Sequence, residues 1–294
     1  MELPNLIVSS LLASYQQISI GKASGIRVPS RSGVDDLCLR LLQIIFPGRQ
    51  SGRLVNDSES QARISAAARA LLDEIANSLS AEGFTKQSPE EITLKLFSDL
   101  PLIRRVIATD LEAGFDGDPA ARSIEEIVLS YPYVDAVSIQ RMAHHLYAAG
   151  VQLLPRMMTE WAHGRTGIDI HPGASIGSHF FIDHGTGVVI GESCRLGHHV
   201  KLYHAVTLGA RSFQKDEEGK IAKGGKRHPD VGDNVTIYPY ATILGGKTVI
   251  GAGSTIGANV FLIHGVPERS LVYLDEGVMK IISKKSVSAS QAGV

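Results

Sequence analysis

The chain carries two hydrophobic rhythms, one after the other. In the first half, apolar positions recur at helical spacing. Leu37, Leu41, Leu42 and Ile45 form one face of a helix that follows Asp35-Asp36 and stops at Pro47-Gly48. Residues 65–79 keep the same period. Ser88-Pro89-Glu90-Glu91 combines a capping box with proline in the first turn, which predicts a helix through Leu96, Leu100 and Ile103 that Gly114 can end. Ser123-Ile124-Glu125-Glu126 predicts a second boxed start, and two more helices are expected at 134–149 and 151–162 with Gly150 between them. Residues 1–34 show no clear period and read as a mobile or partner-bound arm.

In the second half the period becomes six. Ile170, Ile176 and Ile182 keep it, and after a two-residue slip it resumes at Ile190, Leu196, Leu202 and Leu208. It breaks at Ala210–Lys226, returns at Val231, Ile237 and Ile243, and after a one-residue slip ends with Ile250, Ile256 and Leu262. Such a period fits neither a helix nor a hairpin. It fits a triangular coil in which each hexad supplies a short strand and a corner, with the aliphatic residue inward. Glycine often follows the aliphatic residue, as in Ile176-Gly177, Ile190-Gly191 and Ile256-Gly257, and is expected to take up the corner conformation. The charged stretch 210–226 reads as a loop thrown out of the coil. The repeat is expected to end beyond Pro267, with a frayed tail from Ser283.

Composition adds boundaries rather than detail. The 294 residues suit one large domain or two ordinary ones. A net charge of −1 offers no footprint for nucleic acid or an anionic membrane. Two cysteines, Cys38 and Cys194, cannot build a disulfide scaffold, no apolar run is long enough for a membrane span, and the first residues lack a basic secretory leader, so the cytoplasm is the expected location. All 11 histidines lie from His144 onward, which places the chemistry in the second half.

Particular strings narrow the reading. Thr166-Gly167-Ile168-Asp169-Ile170-His171-Pro172-Gly173-Ala174, then Asp183-His184-Gly185-Thr186-Gly187-Val188-Val189-Ile190-Gly191-Glu192, then Val206-Thr207-Leu208-Gly209 and Gly225-Lys226-Arg227-His228-Pro229 follow one another, with Asp118-Pro119-Ala120 upstream. Over about residues 95–270 the chain resembles the serine O-acetyltransferases of the hexapeptide-repeat acyltransferase superfamily. The resemblance implies an α + β chain: a helical N-terminal domain (1–163), a left-handed parallel β-helix (164–270) and a C-terminal tail (271–294), assembled as a homotrimer or a dimer of trimers. It implies transfer of acetyl from acetyl-CoA, a co-substrate, to L-serine without a metal, in the first step of cysteine biosynthesis, with L-cysteine as a feedback inhibitor.

The residue types suit that chemistry. A serine hydroxyl needs a base before it attacks a thioester, and histidine titrates near neutral pH. The resemblance makes His184 the base and Asp169 its orienting carboxylate, although a separation of 15 residues, three short of one 18-residue coil, does not by itself bring them together. It assigns the serine carboxylate to Arg227, with His228 beside it, and the ammonium to Asp118 and Asp183. Gly209 and Ala210 would admit the pantetheine arm, and Lys215, Lys220, Lys223 and Lys226 could cover the cofactor phosphates. The long loop, Glu268 where the family usually has alanine, and an end at Gly293-Val294 rather than isoleucine depart from the pattern. The last makes a complex with O-acetylserine sulfhydrylase doubtful. Other readings on the same fold are a γ-class carbonic anhydrase using His163, His179, His184, His199 or His204, an acyltransferase for sugars or antibiotics, and a non-catalytic assembly protein. The slip at Val188-Val189 argues against the first, because it takes His163 and His199 out of phase.

Overall fold

The computed structural model describes residues 4–18, 27–49, 52, 55–82, 86–212, 218–221 and 224–275. The tail from Ser283, Lys215, Lys223 and Val294 lie outside them.

Within the stretch without period, α1 (Asn5–Gln17) forms a helix with no buried residue. α2 (Arg31–Ile45) begins before Asp35 because Ser30 caps it, its Oγ accepting from the Gly33 N–H at 2.9 Å. Its buried face packs on α3 (Asp57–Glu82) and α7 (Leu153–Thr166). α4 (Pro89–Gly117) opens with the expected capping box: Ser88 Oγ accepts from Glu91 N at 3.1 Å and Glu91 Oε2 from Ser88 N at 2.8 Å. Gly114 does not end it. The helix runs to Gly117, and position 114 is glycine because a Cβ there would lie 2.2 Å from the Tyr133 hydroxyl oxygen. The second box is half formed. Ser123 Oγ caps α5 (Ile124–Ser130), but Glu126 accepts from Arg122 N instead of Ser123 N. α6 (Pro132–Ala148) and α7 flank Gly150, whose φ is 90°.

The second half folds into strands of two or three residues in three parallel sheets. The first holds β1 (Asp169–Ile170), β4 (Val189–Ile190), β7 (Thr207–Gly209), β10 (Thr242–Leu244) and β13 (Phe261–Leu262). The second holds β2 (Ser175–Ile176), β5 (Arg195–Leu196), β8 (Asp230–Val231) and β11 (Val249–Ile250). The third holds β3 (Phe181–Ile182), β6 (Lys201–Leu202), β9 (Thr236–Ile237), β12 (Thr255–Ile256) and β14 (Leu271–Val272). The chain visits the sheets in rotation, as a parallel β-helix does. Every aliphatic of the six-residue period lies in a strand. Asp169 pairs with Val189 and Val189 with Thr207, so the first coil takes twenty residues and the next eighteen. The two-residue slip is therefore an insertion at the corner between β3 and β4.

Two expectations change. The coil does not end at Pro267: Val266 bridges to Ile250, and β14 pairs with β12 through Val272 and Ile256. Leu262 and Val266 are only four apart, which hid the resumption of the period. Nor do the glycines that follow the aliphatics provide the corners' left-handed backbone. His179, His199 and Asn234, one above another, take that conformation with φ of 57°, 55° and 55°. Gly177 and Gly232 are glycine because the next coil passes close by; a Cβ would lie 2.4 Å from Gly197 O and 2.7 Å from Ala252 N, respectively.

Helices and coil share one apolar core around Tyr133, Val134 and Phe181, with the Tyr133 and Phe181 rings 5.1 Å apart. A buried ion pair fastens the junction. Asp110 of α4 meets Arg141 of α6 through Nε at 2.7 Å and Nη2 at 2.8 Å. Arg141 also donates to the carbonyls of Ile176 and Gly177, and Phe180 N donates to Asp110 at 2.9 Å. Removing either partner leaves a buried charge uncompensated, at a cost of about 3–5 kcal/mol.

Candidate active site

The side chains singled out from the sequence gather at two corners, one at each edge of the first sheet. At the corner between the third and first sheets, the two inserted residues throw out a bulge. Gly185 N donates to Asp183 O at 2.7 Å and Gly187 N to Gly167 O at 2.8 Å. His184 sits on this bulge at φ 60°, a left-handed conformation that costs a side-chain-bearing residue roughly 1–2 kcal/mol. Its side chain is 73% exposed, so the strained backbone displays the imidazole rather than packing it. Nε2 lies 3.8 Å from Asp183 Oδ1, and the His204 ring stands edge-on with centroids 5.8 Å apart.

The helical region reaches this corner through the carboxyl end of α4. Asp118 caps that end, accepts from Ala120 N at 2.8 Å, and takes a short hydrogen bond from the Tyr131 hydroxyl. The Tyr131 bond is the chief reason the Asp118 carboxyl stays below the usual carboxylate range, and it pushes the Tyr131 hydroxyl up to about 12. Lys201 of β6 donates to Gly117 O at 2.6 Å and lies 3.8 Å from Asp183 Oδ2. Tyr131 and Lys201 were not visible from the sequence; they lie 13 and 83 residues beyond Asp118, and only the fold joins them.

The corner between the first and second sheets is where the long loop leaves and returns. Arg227, at the return, pairs with Glu192, which also accepts from the Tyr147 hydroxyl of α6. Burial pushes the Glu192 carboxyl up, but the bonds from Tyr147 and Arg227 outweigh it and hold it below its usual range. Ser193 Oγ accepts from the backbone N–H of Arg227 at 3.0 Å and of His228 at 3.1 Å, which fixes the root of the loop. His228 is buried with Nδ1 accepting from Ser193 N at 3.1 Å, so the imidazole is neutral with its proton on Nε2. Burial, followed by the Arg227 charge, depresses its pKa to about 4. Gly191 makes room for the ring, since a Cβ there would lie 2.1 Å from His228 Cδ2. Glu192 stood within a motif string, but its partnership with Arg227, 35 residues on, did not show.

Several expectations shift here. Asp169 does not pair with His184 within the chain. It lies in β1, one coil from Val189, whereas His184 sits on the bulge before β4; its ionic neighbour is Arg156 Nη1 at 3.6 Å. Glu160, His163 and Asp169 bring three ligand atoms within 4.8 Å of one another, but Arg156 pairs with Glu160 and faces Asp169, so a guanidinium already sits against both carboxylates. Of the lyase histidines, His163 belongs to α7, and His179 stacks on His199 with centroids 4.1 Å apart. Gly209 lacks a side chain because Leu244 fills that space, its Cδ2 2.9 Å from where a Cβ would stand; Ala210 follows it, half-buried. Lys226 binds Asp230 and donates to Ser193 O, and Lys220 pairs with Glu218 at 2.8 Å. Lys226 is partly buried in its contacts, whereas the Lys220–Glu218 pair stands in solvent. Among the described residues no helix is long and apolar enough to cross a membrane.

Comparison with known proteins identifies the family. Residues 60–132 match the family described as serine acetyltransferase, N-terminal. A serine acetyltransferase (plasmid) of Synechococcus elongatus is 52% identical over 186 residues, 63% of this chain and 58% of the relative. The chain thus spans a little over half of that relative's length. The serine acetyltransferase of Bacillus subtilis is 42% identical over 183 residues, 62% of this chain and 80% of the relative. Among solved structures, serine acetyltransferase 1 of Entamoeba histolytica in complex with L-cysteine superimposes with a TM-score of 0.72 at 38% identity, over 81% of this chain and 86% of that one. A helical region docked on a hexad coil, with His184 on one corner and Arg227 on the other, therefore belongs to a member of the serine acetyltransferase family of acyltransferases.

Proposed function

We propose that the protein transfers the acetyl group of acetyl-CoA to the hydroxyl of L-serine, at a site completed between neighbouring chains. The observation that carries this reading is the separation of complementary groups. Asp118, Asp183 and His184 occupy one edge of the first sheet, and Arg227 with His228 the other. One side of the prism is about six residues, on the order of 15–20 Å at about 3.3 Å per residue. A molecule as small as serine cannot touch both edges of one chain. It can do so where one copy's His184 edge faces another copy's Arg227 edge, and cyclic repetition of that contact closes as a homotrimer around a left-handed prism. Pairing of two trimers through the helical region would double it.

In this arrangement Arg227 holds the serine carboxylate, and Asp118 with Asp183 the ammonium. His184 takes the hydroxyl proton as the oxygen attacks the thioester carbonyl. The tetrahedral intermediate then expels the CoA thiolate, which recovers the proton from the imidazolium. Asp183 is the carboxylate nearest His184 in its own chain; Asp169 keeps an orienting role only as a contribution across the junction. Acetyl-CoA lies along the intersubunit groove past Gly209 and Ala210 under the long loop. No step requires a metal. L-cysteine, sharing serine's charged groups, competes for the same pocket, and its presence in the Entamoeba relative supports that reading.

The test is complementation between inactive subunits. His184→Ala and Arg227→Ala chains are each assayed for serine-dependent release of CoA thiol, then mixed, unfolded and reassembled. Each alone should be nearly inactive. The mixture should recover about a quarter of the wild-type rate, the statistical share of junctions that join two intact edges. No recovery would place both edges of the site in one chain. Release that prefers a galactoside or chloramphenicol to serine would overturn the acceptor.

A further inference from the structure

Lys201 carries no motif, yet its ammonium occupies the seam between the two halves of the chain. Its stem crosses the Phe181 and Tyr203 rings, with Nζ 5.2 Å and 4.5 Å from their centroids. Nζ donates to Gly117 O at 2.6 Å, at the carboxyl end of a helix of 29 residues, where the orphan carbonyls and the helix dipole favour a cation. Gly117 itself cannot carry a side chain without striking Phe181, whose Cδ1 would lie 2.7 Å from a Cβ. The next residue is Asp118. On its other side Nζ lies 3.8 Å from Asp183 Oδ2. The side chain is only 21% exposed, so the charge is fixed in the seam rather than solvated on the surface.

We propose that Lys201 is a positioning residue for the amino-group pocket: its ammonium clasps the end of α4 against β6, so that Asp118 from the helical region and Asp183 from the coil converge on one substrate ammonium. This rests on the assignment of those two carboxylates to the substrate amino group. The charges support it. Two carboxylates and one lysine leave the pocket one negative charge, which matches a single ammonium. Without the lysine, the two carboxylates, from separate regions, would lose the cation that links Gly117 O to Asp183. Lys201 does not touch substrate in this scheme. It acts through Asp118, whose remaining bonds to Tyr131 and Ala120 set its rotamer but do not tie it to the coil.

The experiment compares Lys201→Met, which keeps the stem over the two rings, with Lys201→Arg, which keeps the charge, each in the wild-type and the Asp118→Asn background. In the otherwise wild-type enzyme, Lys201→Met should raise the KM for serine about tenfold, the worth of one hydrogen bond to a charged group, while kcat and the KM for acetyl-CoA change little. Lys201→Arg should recover most of the loss. In the Asp118→Asn background, Lys201→Met should add almost nothing, because the group it positions is gone. Additive penalties in the two backgrounds, or equal losses in kcat and in the KM for acetyl-CoA, would overturn the proposal and make Lys201 an ordinary strut. If Asp118→Asn raises the serine KM while Lys201→Met does not, the proposal alone falls. If Asp118→Asn changes nothing, the pocket assignment falls and takes the proposal with it.

Discussion

The two corners that bracket the first sheet were both made by interrupting the six-residue period, and they use the interruption in opposite ways. Two extra residues put His184 on a left-handed bulge with its side chain in solvent. The long insertion after β7 returns through Arg227 and His228, which are tied down by Glu192, Ser193, Tyr147 and the space left at Gly191. One corner displays a reactive group at the expense of backbone strain. The other builds a rigid cradle out of hydrogen bonds. A proton carrier must reach its substrate and titrate, so exposure serves it, whereas a carboxylate grip depends on geometry and therefore on support.

The largest effect should come from the exposed corner. His184→Ala removes the proposed base and should lower turnover by about 10²–10⁴, with little change in the unfolding midpoint, because the side chain buries almost nothing. A variant that keeps near-wild-type thiol release would end the contrast by removing His184 from the chemistry.

The supported corner should show itself in stability instead. Free histidine takes its proton near pH 6.5, but folded His228 does so only near 4. Between those values protonation favours the unfolded chain. The stability His228 contributes is therefore fully present above about pH 6.5 and is lost as pH falls through 4, on the order of 3 kcal/mol in all. Urea midpoints for the wild type should fall more steeply than those of His228→Asn between pH 7 and 4. Parallel curves would mean that the ring is not held neutral.

The smallest effect separates strain from chemistry within one position. His184→Gly and His184→Ala both lose the base, but glycine accepts φ 60° freely. The glycine variant should be the more stable by about 1 kcal/mol, read as a higher melting temperature at equal inactivity. Equal stability would mean that the bulge is relaxed around position 184.

The sequence was most informative where the physics is periodic. Each inward aliphatic from Ile170 to Leu262 could be placed because a solenoid repeats one local rule, and the slip before Ile190 marked the bulge that carries His184. It was least informative where contacts join distant turns. The Asp110–Arg141 clamp, the Glu192–Arg227 pair and Lys201 beneath Gly117 span from 31 to 84 residues and obey no spacing. Asp169 shows the same limit: family resemblance names it a partner for His184, but within the chain a twenty-residue first coil sets Asp169 against Val189 and beside Arg156. The glycine that often follows an aliphatic misled about cause rather than place: at Gly177 and Gly232 crowding by the next coil, not backbone freedom, is why.

The helices also act as a bookend. β1, β2 and β3 stand at one end of their sheets, and α4, α6 and α7 cover β1 and β3 there. At the other end Phe261 and Leu271 remain 63% and 66% exposed on the edge strands β13 and β14. Among the described residues no helix packs on that end, so the stack can change length there without disturbing the helical region. A gene that gained or lost a whole turn beyond β11 would change the height of the column while leaving both interrupted corners, and the seam beneath them, at their original level.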